Sequence, residues 1–285
     1  MSFSLGIMFA IVSFLGWGVA DFFAKRVVDR IGAFWSLLIM QIIGIVPIFI
    51  YSLLFLQIPM LSWSMVGILA LSSFLLIFAY LVFYKGLKYG PISIVSPIAS
   101  SATVLTVLLS ILLFGESLTS LQMTAIIIII TGAVLASVKW GAEKIKIVSY
   151  GVLLAIITAL GWGVAFPLMK INMNVVGPIF TLLIVRFFSI IFLSAYAAAK
   201  RDRPKNYDIN VWKYLIVIGL IDAAAFLAYY IGVSMDYLSI ISPISTCYPA
   251  VTVVLAYVFL KERIQNSQKI GIFLILAGLI LISLV

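Results

Sequence analysis

The sequence contains no histidine and only one cysteine, Cys247, in 285 residues. One cysteine excludes a disulfide within the chain, and the lack of histidine excludes a Ser-His-Asp triad, an imidazole proton relay and a histidine-based metal site. A glycine-rich phosphate loop ending in Lys-Ser or Lys-Thr is also missing, which argues against ATP hydrolysis by this chain. The sequence therefore predicts no enzyme, no cofactor and no bound metal.

Charged residues are scarce as well. They make up 9% of the chain, whereas hydrophobic residues make up 65% and the mean hydropathy is +1.30. Soluble domains contain about 25% charged and about 45–50% apolar residues. Because a membrane-spanning helix needs roughly 20 apolar residues, the chain has room for about ten spans and little else. The composition predicts an all-α membrane protein that lies in a lipid bilayer and binds no nucleic acid.

Ten apolar runs are predicted to span the membrane, separated by short segments rich in glycine, proline or charge. They are residues 5–25, 33–56, 63–84, 92–114, 119–138, 150–170, 178–199, 212–232, 238–260 and 267–285. Of the 18 lysines and arginines, 16 lie in loops that follow odd-numbered spans. The excess of positive charge on the cytoplasmic side of membrane proteins predicts a protein of the cell (plasma) membrane with both termini outside.

The two halves of the chain repeat each other. The hexapeptide Leu-Gly-Trp-Gly-Val-Ala occurs at residues 15–20 and again at residues 160–165. Matches at offsets of 145, 149 and 146 residues follow in the same order along both halves. They pair Gln41 with Arg186, Ser73 with Asp222, Tyr80 with Tyr229, Pro97 with Pro243 and Glu116 with Glu262. This pattern indicates a duplication.

The predicted repeats are residues 1–139 and 150–285, joined by a cytoplasmic linker over residues 140–149. Each repeat holds five spans, and because five is odd the second repeat enters the membrane from the opposite side. The predicted architecture is therefore ten transmembrane helices arranged as two inverted five-helix repeats. This design is typical of secondary transporters, which bind their substrate near the bilayer midplane.

Two charged residues fall at mid-depth, Arg186 in the seventh predicted span and Asp222 in the eighth. A lone charge at the bilayer centre costs about 2.5–3.5 kcal/mol on insertion scales, and pairing lowers that cost. We therefore expect an Arg186–Asp222 ion pair near the central cavity. The alternative is a structural clamp remote from the substrate.

Asp21 lies near the cytoplasmic end of the first predicted span. One interpretation is a protonatable gate or a cation contact, which would couple transport to a proton or ion. The other is an ion pair at i,i+4 spacing with Lys25 at the membrane interface.

Aromatic and hydroxyl side chains within the spans are candidate walls of a substrate site, although core packing also explains them. Prolines in the fourth and ninth spans free backbone carbonyls and are candidate hinges. The candidate substrate-binding residues are Trp17, Gln41, Tyr80, Ser100, Ser101, Trp162, Arg186, Tyr229 and Tyr248, and the candidate hinges are Pro97, Pro243 and Pro249. Glu116 and Glu262 are interpreted as mainly structural, with proton coupling as the alternative.

The chain resembles the drug/metabolite transporter superfamily, in its ten-span branch with two EamA-type domains. The residues that carry the resemblance are Trp17, Lys25, Pro97, Glu116 and Gln122 in the first half and Trp162, Lys170, Arg186, Pro243, Glu262 and Gln268 in the second. Gln41 departs from the family's recurrent arginine in the first repeat. The resemblance covers essentially the whole chain and implies a carrier of small organic solutes.

Together these features predict a secondary transporter that moves a small metabolite by alternating access. Export of an amino acid or a related organic solute is the favoured activity. A sugar carrier or a drug or cation carrier of the same fold is the alternative, and a channel or scaffold is the alternative from another class. The chain is expected to act as a monomer or homodimer.

Overall fold

The computed structural model describes residues 4–57, 59–90, 92–137, 150–200, 208–260 and 265–282, and these residues form helices without any strand. The predicted linker at 140–149 lies outside the described residues. The helices are α1 (Leu5–Ile31), α2 (Ala33–Phe55), α3 (Trp63–Tyr89), α4 (Ile92–Ser100), α5 (Ala102–Phe114), α6 (Ser120–Ser137), α7 (Tyr150–Val176), α8 (Pro178–Lys200), α9 (Ile209–Met235), α10 (Leu238–Ser245), α11 (Tyr248–Leu260) and α12 (Asn266–Ile282).

The expected all-α membrane protein with ten spans is confirmed. Within the described residues, seven helical stretches are long and apolar enough to cross a membrane. Three shorter apolar stretches complete the ten: Ile98–Phe114, Ser120–Leu135 and Asn266–Ile282. Several helices run further than the predicted spans, and α1, for example, continues past Arg26, Asp29 and Arg30 to Ile31.

Equivalent glycines turn the chain between the first two helices of each repeat. Gly32 separates α1 from α2 with a φ of 83°, and Gly177 separates α7 from α8 with a φ of 81°. A positive φ costs glycine little because it has no Cβ. The one-residue connection lets each pair of helices fold back on itself at the same place in both repeats.

The fourth and ninth spans are each broken into two helices. The break lies at Ser101 between α4 and α5, and at Thr246 and Cys247 between α10 and α11. Cys247 is the counterpart of Ser101 at an offset of 146 residues. Pro97 lies four residues before the first break, within α4, and Pro243 lies three residues before the second, within α10. Pro249 lies in the first turn of α11, where a proline is tolerated. The predicted hinges therefore lie beside real discontinuities, and their movement stays a prediction.

Helices pack mainly across the repeats. The most extensive pairs are α1 with α9, α3 with α7, and α6 with α12. In the second repeat α7 is the counterpart of α1, and α9 is the counterpart of α3. The α1–α9 pair and the α3–α7 pair are therefore equivalent. We call α1, α9, α10 and α11 the first helix group, and α3, α4, α5 and α7 the second helix group. Each group thus contains helices from both repeats.

The repeated Gly-Trp-Gly sequence explains how closely these helices approach. A Cβ on Gly16 would lie 2.8 Å from the Cβ of Ala225 on α9. A Cβ on the equivalent Gly161 would lie 2.7 Å from the Cβ of Ala79 on α3. Any larger residue would push the helices apart, so the glycines fix the tryptophan between them at the centre of the molecule.

Candidate functional site

A buried polar network lies at the centre of the membrane span. Arg186 Nη2 lies 2.7 Å from Asp222 Oδ2, and Arg186 Nη1 donates to Gln41 Oε1 at 2.5 Å. The Tyr80 hydroxyl donates to the other carboxylate oxygen, Asp222 Oδ1, at 2.9 Å. The structure therefore contains the expected ion pair, and the repeat-equivalent Gln41 completes it.

The surroundings of this network are shaped to hold a guanidinium. A Cβ on Gly44 would lie 2.8 Å from Arg186 Nη1, so only glycine leaves room there. Arg186 Cζ also lies 5.5 Å from the ring centroid of Phe226, within the range of a cation–π contact. Arg186 and Asp222 are 2% and 1% exposed. Such a buried pair is tolerated because each charge has both an opposite charge and further hydrogen bonds.

Beside the network is a small cavity lined by both helix groups. Its walls are formed by Trp17, Asp21, Tyr80, Ala102, Trp162, Phe166, Phe226, Thr246 and Tyr248. It leaves about 20 Å³ for the centre of a water-sized molecule, which is enough for about one water. A larger solute therefore needs the two helix groups to separate.

Five of the predicted site residues line this cavity: Trp17, Asp21, Tyr80, Trp162 and Tyr248. The others lie outside the lining that the structure describes, and these are Gln41, Ser100, Ser101, Arg186, Asp222 and Tyr229. Among them, the Ser101 hydroxyl donates to the Ile98 carbonyl at the helix break. Roles in substrate binding stay predictions for all of them.

Four lining residues are not among the candidate substrate-binding residues named from the sequence: Ala102, Phe166, Phe226 and Thr246. Two of them could have been found from the repeat alignment, because Phe166 is the counterpart of Asp21 and Thr246 is the counterpart of Ser100. Phe226 lies one helical turn after Asp222 on α9, so helical spacing pointed to it as well.

Asp21 does not form the ion pair with Lys25 that the i,i+4 spacing suggested, and that interpretation was wrong. Lys25 Nζ instead lies 3.1 Å from Asp29 Oδ1 and donates to the Leu87 carbonyl at 2.6 Å. The Lys25 side chain extends along α1 toward Asp29, one helical turn later, and therefore points away from Asp21. Asp21 is 5% exposed and has no hydrogen-bond or ion-pair partner among the described residues.

The walls around Asp21 are aromatic. The ring centroid of Trp17 lies 4.9 Å from that of Phe226 and 6.4 Å from that of Phe166. The ring centroids of Tyr80 and Trp162 are 5.2 Å apart. The indole N–H groups of Trp17 and Trp162 have no acceptor within the described part of the chain. Buried indole N–H groups usually find a partner. Two equivalent donors without one therefore mark the centre of the site.

At one end of the molecule a buried carboxylate joins the two helix groups. Glu116 Oε1 lies 2.6 Å from Lys170 Nζ and accepts from the Leu238 amide at 3.0 Å, while Oε2 accepts from the Ser239 amide at 2.9 Å. These amides begin α10, where the partial positive charge of a helix N-terminus favours an anion. We call Glu116, Lys170, Leu238 and Ser239 the Glu116 cluster.

The environment of Glu116 keeps its carboxyl group ionised. Burial alone would raise its pKa, but the hydrogen bonds from Lys170 and Ser239 and the charge of Lys170 outweigh burial, so the pKa is lowered. Glu116 was predicted to be mainly structural, and nothing in the sequence pattern connected it with Lys170. Its counterpart Glu262 lies outside the described residues.

Comparison with known proteins decides the family. Two segments of the chain, residues 4–138 and 149–284, each match the EamA-like transporter family. The chain belongs to this family. The two matches show that the chain consists of two EamA repeats, and family membership makes it a multi-pass membrane transporter.

Relatives of this EamA-like transporter include two archaeal proteins. An uncharacterized protein of Methanocaldococcus jannaschii is 34% identical over 135 residues, which is 47% of this chain and 95% of that protein. An uncharacterized transporter of Archaeoglobus fulgidus is 26% identical over 204 residues, covering 72% of this chain and 70% of that protein. The first relative is therefore about as long as one EamA repeat.

A solved structure shares the fold. A protein of known crystal structure has a TM-score of 0.81 to this chain at 18% identity, covering 99% of this chain and 98% of the other. At that identity the likeness concerns the fold alone. It supports the interlocked helix arrangement described above and carries no information on the substrate.

Proposed function

We propose that this chain is a secondary transporter that carries a small organic metabolite through the central cavity by alternating access. The observation that supports this most is the origin of the cavity walls. Trp17 and Asp21 belong to the first helix group, whereas Tyr80 and Trp162 belong to the second. A cavity between two equivalent groups is suited to a mechanism in which the groups move relative to each other.

The central network is the proposed pivot of this movement. The Tyr80 hydroxyl, on the second group, bonds to Asp222 on the first, and Arg186 ties Asp222 to Gln41 on α2. These buried bonds hold the groups together at mid-depth. The ends of the groups are then free to separate in turn, with Pro97, Pro243 and Pro249 as hinges in the broken spans.

The Glu116 cluster is the proposed gate at one end. Glu116 follows α5 of the second group, and the amides of Leu238 and Ser239 begin α10 of the first. Opening that end requires the hydrogen bonds between Glu116 and these two amides to break. The ion pair with Lys170 can persist, because α5 and α7 both belong to the second group. An inverted arrangement of the two repeats would place an equivalent gate at the other end.

The proposed cargo is an amino acid or a related organic solute, and the proposed direction is export. Aromatic walls favour an organic body, and the unpartnered indole N–H groups of Trp17 and Trp162 offer donors to an oxygen acceptor on the solute. Proton or ion coupling through Asp21 or Asp222 is part of the proposal. A sugar, drug or cation carrier would use the same fold.

The proposed orientation has both termini outside the plasma membrane of the cell. Basic residues of two odd loops meet at one end of the structure, because Arg30 and Lys213 line the same surface pocket. The hydroxyl of Ser4 bonds to Asp236 at the opposite end, near the start of α10. The charge distribution supports the first end as cytoplasmic, and the assembly is proposed to be a monomer or homodimer.

Counterflow in liposomes tests the proposal. Purified protein is reconstituted, the vesicles are loaded with one unlabelled amino acid at a time, and uptake of the same labelled amino acid is followed. A carrier gives saturable uptake that the internal solute accelerates. Flux that never saturates and shows no acceleration would instead support a channel, and a protein that moves no solute in a screen extended to sugars and organic cations would support a scaffold.

A further inference from the structure

We propose that Asp21 and the aromatic walls around it form a binding site for the positively charged nitrogen of an organic solute. This inference rests on the proposed transport function and names the chemical class of its cargo. It depends on three features of the cavity: a carboxyl group without a partner, aromatic rings from both helix groups, and cationic side chains that are already bound elsewhere.

Asp21 is the only Asp, Glu, Lys or Arg in the described lining of the cavity. It is 5% exposed, and no hydrogen bond or ion pair reaches it from the described residues. A buried carboxylate without a partner is unfavourable in a medium of low polarity. A cationic ligand that enters the cavity would remove this penalty, so the site favours binding of a cation over binding of a neutral solute.

Two cationic side chains that could pair with Asp21 are bound elsewhere. Arg186 is held by Asp222 and Gln41, and Lys25 is held by Asp29 and the Leu87 carbonyl. The other titratable groups that interact electrostatically with Asp21 are Asp222, Tyr80, Tyr84 and Tyr248. None of these carries a positive charge. The local field therefore repels an anion and attracts a cation.

The walls favour an organic cation over a metal ion. Six aromatic rings line the cavity: Trp17, Tyr80, Trp162, Phe166, Phe226 and Tyr248. The negative face of an aromatic ring attracts an ammonium group, whereas hard metal cations need several oxygen ligands. The Thr246 hydroxyl already donates to the carbonyls of Ser242 and Pro243. The surroundings thus suit a nitrogen cation on a small carbon body.

The repeat alignment gives independent support. The position equivalent to Asp21 in the second repeat is Phe166, which lines the same cavity without charge. Trp17 and Trp162 are both present, so the scaffold of the wall is symmetric while the carboxylate occurs once. A charge that the fold does not require at one of two equivalent positions is suited to recognising a ligand.

Binding to matched pairs of probes tests the inference. Purified full-length protein is titrated with choline and benzylamine, and separately with their uncharged analogues 3,3-dimethylbutanol and benzyl alcohol. Tryptophan emission reports binding, because Trp17 and Trp162 line the cavity, and thermal stabilisation is the second readout. We expect at least one ammonium probe to bind, and its uncharged analogue to bind roughly thirtyfold or more weakly.

Three variants identify the carboxylate responsible. Asp21→Asn should lose roughly thirtyfold or more in affinity for the ammonium probe, and Asp21→Glu should keep most of it. Asp208→Asn, which removes an exposed carboxylate before α9, is the matched control and should bind as the wild type does. If Asp21→Asn does not fold, Asp21→Glu and the matched probe pairs on the wild-type protein still decide the question.

The proposal is overturned if neither ammonium probe binds, if charged and uncharged probes bind alike, or if Asp21→Asn binds as tightly as the wild type. These outcomes concern only ligand recognition at equilibrium. A protein that fails them and still shows counterflow of another solute remains a transporter with a different cargo. A protein that binds the cation and shows no counterflow contradicts the proposed function instead.

Discussion

Equivalent positions in the two repeats carry different chemistry at the centre of the molecule. The second repeat supplies Arg186 and Asp222, whereas the first supplies Gln41 and Ser73. Gln41 accepts from Arg186, but the Ser73 hydroxyl donates to the carbonyl of Leu69 on its own helix. The helices thus obey the repeat symmetry, while the charges do not.

The same difference occurs at the cavity wall, where Asp21 of the first repeat corresponds to Phe166 of the second. Duplication therefore gave two equivalent sets of helices, whereas Arg186, Asp222 and Asp21 each have an uncharged counterpart in the other repeat. Equivalent helices thus pack alike although these charges are not shared, so the helix arrangement does not require them in both repeats. Interchanging or removing residues at equivalent positions is the direct way to test that conclusion.

The largest effect is expected when one member of the central ion pair is removed. Arg186→Gln and Asp222→Ser each give the second repeat the residue of the first, and each leaves the other charge buried without its partner. Each single variant should lose about 3–5 kcal/mol of stability. The double variant should recover most of this loss, because it contains neither charge. Thermal or denaturant unfolding in detergent measures all three variants.

One outcome would contradict this prediction. A double variant that is as unstable as the single variants would mean that the two charges do not stabilise each other. It would also mean that the chemistry of the first repeat cannot replace that of the second at these positions.

A smaller effect is expected at the carboxylates that bind the equivalent lysines, Lys170 and Lys25. Glu116→Gln removes the charge from a carboxylate that is buried and has three partners, and should cost about 2–3 kcal/mol. Asp29→Asn removes a half-exposed partner of Lys25 and should change stability by less than about 0.5 kcal/mol. Unfolding midpoints of the two variants give the comparison, and equal losses would contradict it.

The stability that Glu116 contributes is also expected to depend on pH. Because the folded state lowers the pKa of this carboxyl group, its contribution is present above the pKa of an unfolded glutamate. That contribution is lost as the pH falls through the lower pKa of the folded state. The stability difference between the wild type and Glu116→Gln should therefore shrink on acidification. A difference that stays constant down to low pH would show that the charge of Glu116 does not matter.

The smallest effect is expected at the equivalent tyrosines. The Tyr80 hydroxyl donates to Asp222, and Tyr80→Phe should cost about 1.5 kcal/mol. The Tyr229 hydroxyl lies near Ser242 without a hydrogen bond of good geometry among the described residues, so Tyr229→Phe should be close to neutral. Parallel melting curves of the two variants decide this, and the reverse order would be inconsistent with the observed network.

Much of the architecture was predictable from the sequence, because apolar length and the repeat carry it. The ten spans follow from runs of apolar residues, and the central ion pair follows from the cost of an isolated charge at mid-depth. The lysine contacts were not predictable in the same way. Spacing along α1 offered Lys25 two carboxylates, Asp21 and Asp29, and only the direction of its side chain in the folded protein selects the second.

The Glu116 cluster shows a second limit. Glu116 and Lys170 are 54 residues apart in the chain, and their contact depends on how α5 lies against α7. The helix breaks, at Ser101 and at Thr246 and Cys247, lie about one turn after Pro97 and Pro243. A proline weakens the turn around it without fixing where the next helix starts, so the exact positions did not follow from the sequence.

The central claim is that the two helix groups open alternately at the two ends of the cavity. Spin labels test it most directly, in a Cys247→Ser background, with one pair at Asn174 and Ser234 and another at Lys88 and Asn210, all of which are exposed. Distances are measured in lipid nanodiscs with and without the ammonium probes. We predict that conformations with a longer distance between the labels at Asn174 and Ser234 have a shorter distance between the labels at Lys88 and Asn210. Distances that stay fixed, or that lengthen together, would contradict the account.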